Sequence, residues 1–255
     1  DINNLKEINQ SKKNLNSIYI GTYKLSGLIW ELISTHECKF GEFLDVNRNS
    51  INVESNQMVV SLFRKEGSFP KSTRLLPKPD SLRVDSSPVA ERASLNYHFG
   101  GSTTTYQGEY PYEMANINKG SFWSFDALKE GLDSNDSIKS FLILMNINRD
   151  AEKQTEVNLD IYDPHHKDKF LNWKARQNSF TVINLREINK ALNYKSNQNT
   201  FFIQCKNCTF IPVVLSIDTK NHQLSMEHTH PPHEFLWGKD KLKVIKLLKE
   251  KWILD

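Results

Sequence analysis

The chain has little of what marks several common protein classes. It holds no unbroken apolar run of about 18 residues, the length a membrane-crossing helix needs, so no membrane span is expected. Its three cysteines, Cys38, Cys205 and Cys208, are too few, and odd in number, for a disulfide framework. No charged-apolar-small leader opens the sequence, and together these two features point to the cytoplasm. Charge of one sign is also missing: 33 Lys and Arg against 30 Asp and Glu leave a net +3. That balance lacks the concentrated positive field of a nucleic-acid-binding domain, and no nucleic acid partner is expected. Glycine-rich phosphate loop, nucleophile elbow and HExxH helix are all absent, which disfavours phosphoryl transfer.

What is present is β texture. Residues 1–16 are Asn- and Lys-rich and read as an irregular N-terminal extension. Across 17–63 short apolar or alternating runs (17–23, 28–34, 41–46, 50–53 and 58–63) are separated by Gly21, Gly27, Gly41 and Asn47-Arg48-Asn49, the pattern of strands and turns. Pro70, Pro77, Pro79 and Pro88 make 64–92 a long loop or crossing segment. From 93 to 255 the expectation is a β-sandwich core closed by a helix, with 17–255 forming one compact unit. Runs at 140–146, 155–162, 168–173, 179–184, 200–204, 210–218 and 223–228 supply its later strands. In one of them Val157, Leu159 and Ile161 alternate with Glu156, Asn158 and Asp160, so one face is buried and one is wet. The final stretch sets Leu242, Ile245, Leu248 and Trp252 at helical spacing among Lys239, Lys241, Lys243, Lys246, Lys249 and Lys251. This predicts an amphipathic helix over 239–254, docked through its stripe.

Chemistry-bearing residues gather in two places. Glu227-His228-Thr229-His230-Pro231-Pro232-His233-Glu234 packs three imidazoles and two carboxylates together. In an extended strand His228 and His230 share a face, and the prolines end the strand and re-aim His233 and Glu234. His228, His230 and Glu234 are therefore candidate ligands for a divalent metal (zinc, iron or manganese), completed from Glu109, His98 or His36. The spacing matches the core of the first cupin motif. Its flanking glycines are not in place, however, and no histidine follows to supply the second motif, which excludes a regular cupin. The second place is the aromatic block 93–128. In Thr105-Tyr106-Gln107-Gly108-Glu109-Tyr110, Gln107 and Glu109 share a strand face and the tyrosines take the other. Aromatic faces beside polar groups suit sugars and other amphipathic ligands. Cys205-Lys206-Asn207-Cys208 reads as a hairpin turn, and His165-His166 as an exposed turn between strands.

Phe141-Leu142-Ile143-Leu144-Met145-Asn146 with Arg149-Asp150-Ala151, then Val157 to Asp163, Phe180 to Leu185 and Ile211 to Asp218, resemble in order and texture the sensory rhodopsin transducer family. The resemblance covers about 138–228. It implies a small β-sandwich that forms homo-oligomers and works as a signalling or ligand-binding module, and it carries no catalytic signature.

The reading is thus a mostly β, antiparallel sandwich protein, a homo-oligomer in the cytoplasm. It binds a polar ligand, a carbohydrate for example, through Tyr106, Gln107, Tyr110 and His233. The alternative is a metal-dependent hydrolase or lyase with the metal on His228, His230 and Glu234 and with Glu109 or Glu227 as general base.

Overall fold

A computed structural model describes residues 17–39, 44–46, 51–54, 57–80, 95–106, 121–126, 131, 133, 136–163, 166–192, 200–206 and 208–228. It is mostly β, and every ladder among the named strands is antiparallel. The chain divides into two compact units, Asp1–Arg92 with Arg149–Lys153, and Ala93–Asn148 with Gln154–Asp255.

In the first unit β1 (Ser17–Ser26), β2 (Ile29–Lys39), β3 (Val59–Arg64) and β4 (Ser72–Thr73) form a sheet in the order β3-β1-β2-β4. Among the described residues of this unit Tyr23, Trp30, Leu62, Leu76 and Ala151 are apolar and buried. Their polar tips are satisfied by backbone: Tyr23 Oη donates to Pro70 O (3.0 Å) and Trp30 Nε1 to Arg149 O (3.1 Å). Gly21 is glycine for space, because a Cβ there would stand 2.5 Å from the Phe69 ring. The proline-rich segment thus supplies core side chains and β4. The runs at 41–46 and 50–53 do not form strands in their described parts, 44–46 and 51–53. The edge of β2 away from β1 is taken by β4, and Gln57 N donates to Glu54 O.

In the second unit β5 (Leu95–Phe99) and β6 (Ser102–Tyr106) form a hairpin. Two four-stranded sheets follow. One contains β7 (Ser121–Asp126), β9 (Glu156–Asp163), β10 (His166–Arg176) and β12 (Thr200–Cys205) in the order β10-β9-β12-β7. The other contains β8 (Ile138–Asn146), β11 (Ser179–Asn184), β13 (Ile211–Asp218) and β14 (Gln223–His228) in the order β11-β8-β13-β14. One buried cluster draws on both, including Leu142 and Leu144 from β8, Leu159 and Ile161 from β9, and Phe201 and Ile203 from β12. These alternate positions face one way because successive strand side chains point to opposite sides.

A helix also stands where only a connection between the strands 179–184 and 200–204 was expected. α1 (Leu185–Leu192) follows β11 directly, and Leu185, Ile188 and Leu192 recur at helical spacing and are buried in the same core. Asn184 caps it, its Oδ1 accepting from Arg186 N at 3.0 Å, while Arg186 Nη2 donates to Asp136 O and Ile138 O. The helix expected at 239–254 and the extension 1–16 lie outside the described residues. Among the described residues no helix is long and apolar enough to cross a membrane.

Candidate functional site

The β5–β6 hairpin turns through Gly100 and Gly101, with Phe99 paired to Ser102. Gly100 has φ of 58°, which glycine adopts without steric cost and which suits the first central position of a two-residue hairpin loop. The tip sits on the turn between β13 and β14. Ser102 Oγ donates to His222 O (3.2 Å), and the Phe99 and His222 rings lie 5.7 Å apart between centroids.

His222 itself has φ of 53°, so the turn that presents it needs external support. Asp218 provides it. Its Oδ1 accepts from Lys220 N, Asn221 N and Ser137 Oγ, and its Oδ2 from Asn221 Nδ2. These bonds, Asn221's side chain first among them, hold the Asp218 carboxyl below its ordinary range.

From that anchored end β6 and β14 run side by side, β6 from Ser102 to Tyr106 and β14 from Gln223 to His228. β6, which ends in Tyr106, leaves the hairpin tip, and β14, which ends in His228, leaves the 219–222 turn that the tip touches. One hairpin face is polar, exposed and without formal acid or base beyond an imidazole: Asn96, His98, Thr103 and Thr105. Its members are paired across the strands, His98 Nδ1 with Thr103 Oγ1 at 2.8 Å and Thr105 Oγ1 donating to Asn96 Oδ1 at 2.8 Å. On the other face Tyr97 is partly exposed, and burial raises its phenol above the ordinary value.

Of the residues singled out from sequence, Tyr106 closes β6 in register with Leu95. Glu227 is exposed and stands opposite Val214, and His228 stands opposite Val213. Val214 belongs to the core and Val213 to a cluster on the other side of the sheet, so Glu227 and His228 occupy positions on opposite faces. His98 lies on β5, and His36 lies on β2 of the first unit. Gln107, Glu109, Tyr110, His230, His233 and Glu234 lie outside the described residues. Among the described residues no group of three or more His, Cys, Asp or Glu is placed to hold a metal ion. Phe99, Gly100, Asp218 and His222 were not anticipated as parts of the site. The Gly-Gly pair signals a hairpin, but no local pattern says what its tip touches.

The Cys205-x-x-Cys208 segment is not a hairpin turn. β12 and β13 belong to different sheets, so the segment crosses between them, and both cysteines are buried in the shared core. Cys208 Sγ receives Asn146 Nδ2 (3.1 Å) and Gln177 Nε2 (3.6 Å), and desolvation pushes its thiol up to about 12. Such a thiol stays protonated and unreactive. Of the His165-His166 turn, His165 lies outside the described residues and His166 opens β10, in register with Asp163.

No protein-family model matches this chain, and no curated protein or solved structure matches it.

Proposed function

We propose that the protein binds a polar, uncharged ligand of the carbohydrate class at the ends of β6 and β14. Tyr106, Gln107, Tyr110 and His233 are the contacts in this reading. The observation that supports it is the closeness of those two strands, whose first ends meet where Ser102 Oγ donates to His222 O. The hydroxyl, amide and imidazole face of Asn96, His98, Thr103 and Thr105 adds donors and acceptors suited to sugar hydroxyls.

In the same reading the second unit is a β-sandwich, supported by one core drawn from both of its four-stranded sheets. Its likeness in texture to the sensory rhodopsin transducer family adds a homo-oligomeric binding module, working in signalling or assembly in the cytoplasm.

A screen of the purified chain against neutral mono- and oligosaccharides, alongside elemental analysis, tests the proposal. It expects saturable sugar binding that persists in the presence of a chelator. Binding to no sugar, together with a stoichiometric zinc, iron or manganese that His228→Ala/His230→Ala removes, would replace it. The site would then be a metal-dependent hydrolase or lyase using His228, His230 and Glu234 as ligands and Glu109 or Glu227 as base.

A further inference from the structure

The polar face of the β5–β6 hairpin offers hydrogen bonds in a form that selects its ligand. Asn96, His98, Thr103 and Thr105 are all exposed, and register sets Asn96 beside Thr105 and His98 beside Thr103. In the first pair Thr105 Oγ1 donates to Asn96 Oδ1 at 2.8 Å, which leaves the Asn96 N–H groups as donors and the Thr105 oxygen as an acceptor. In the second pair the proton of the 2.8 Å bond belongs either to His98 Nδ1 or to Thr103 Oγ1. If the hydroxyl donates, the imidazole Nε2 carries a proton and the Thr103 oxygen keeps a lone pair. If the ring donates, the hydroxyl proton is left over and Nε2 accepts. Each pair therefore retains both a donor and an acceptor, whichever tautomer holds. A sugar hydroxyl, which donates and accepts at once, matches both; a carboxylate brings acceptors alone and an ammonium donors alone.

The two pairs are also stacked along the strand. Thr103 and Thr105 stand two residues apart, about 6.8 Å, and Thr103 is about 10 Å from Tyr106 at the end of β6. A single sugar ring held at that end is too short to engage both pairs. We propose that the ligand is an unbranched neutral oligosaccharide of several units, lying lengthwise along the polar face of β5 and β6. The inference rests on the carbohydrate reading of the ends of β6 and β14, and it adds a length requirement to that site. The ladder stops at the Gly100-Gly101 turn, beyond the pair of His98 and Thr103. Affinity therefore gains from added units only until that pair is reached.

The test is calorimetry on the full chain with a homologous series of one neutral sugar, from the monosaccharide to the hexasaccharide. Affinity is expected to rise about tenfold between the monosaccharide and the tetrasaccharide, as two modest hydrogen bonds would give, and then to level off. His98→Ala/Thr103→Val is expected to remove most of that rise while thermal unfolding stays unchanged, since both side chains are exposed. If the double variant fails to fold, Thr103→Val alone, which keeps a β-branched side chain on the strand, is expected to reduce the rise severalfold. Equal affinity for the monosaccharide and the tetrasaccharide in the wild type, or a rise that survives in the folded variant, would overturn the proposal. If Tyr106→Ala still abolishes binding in that case, the site itself stands and only its length requirement is wrong. An absence of binding at every length would overturn both.

Discussion

Gly100 lies so close to His222 that a Cβ added at residue 100 would stand 2.5 Å from the His222 Cβ. The contact joins a hairpin tip to a turn far along the sequence, and both residues have positive φ. Gly100→Ala is expected to fail on both counts, clashing with His222 and straining its own backbone, at a cost of about 1–3 kcal/mol. Gly101→Ala, with nothing within 4 Å of its added Cβ, serves as the control. Chemical denaturation reads the cost. Hydrogen exchange should quicken at both 99–102 and 219–222 in the first variant and at neither in the second.

Cys208 accepts two amide donors in the core, so Cys208→Ala leaves Asn146 Nδ2 and Gln177 Nε2 short of a partner. The expected loss is about 1–3 kcal/mol, as for other buried polar groups deprived of a hydrogen bond. Alkylation of the native chain should reach the partly exposed Cys38 and spare Cys205 and Cys208 until unfolding.

The same thiol sets a pH dependence. Its folded value, about 12, lies above the ordinary 9.0, so protonation is favoured in the folded state. The contribution is fully present below the ordinary value. It is lost as pH rises from there toward 12, because the unfolded thiol ionises first. Stability of the wild-type chain followed across that window should fall more steeply than that of Cys208→Ala. Parallel curves would contradict the assignment.

Asn184 ends β11 and caps α1, so Asn184→Ala is expected to cost about 0.5–2 kcal/mol, measured by thermal or urea unfolding. Asn184→Ser, which keeps a capping oxygen, should recover most of it.

The second-unit strands were legible where alternation or run length is unambiguous. β9 is the clearest case, with Leu159 and Ile161 buried and Glu156 and Asn158 exposed. α1 was not read, although Leu185, Ile188 and Leu192 carry its period, because eight residues pressed against a strand give that period little room to show. The run Phe141–Met145 announces a strand but cannot say that it lies between β11 and β13. The crossing at Cys205–Cys208 was read as a hairpin because local spacing is the same whether the next strand joins the same sheet or another. Tyr106 and the segment at His228 were picked out by residue chemistry alone. The contact of Gly100 with His222, which sets β6 close to β14, joins distant positions and leaves no local pattern.

The central claim is that the ends of β6 and β14 form one binding site, and calorimetry on variants of both ends tests it most directly. The probe is the neutral oligosaccharide that binds the wild-type chain most tightly. Tyr106→Ala and the double change His228→Ala/His230→Ala are each expected to abolish measurable binding and to leave thermal stability nearly unchanged. His165→Ala, between β9 and β10 in the sequence, should bind as the wild type does. Full binding by the double variant, or its outright unfolding as after a core substitution, would contradict the account.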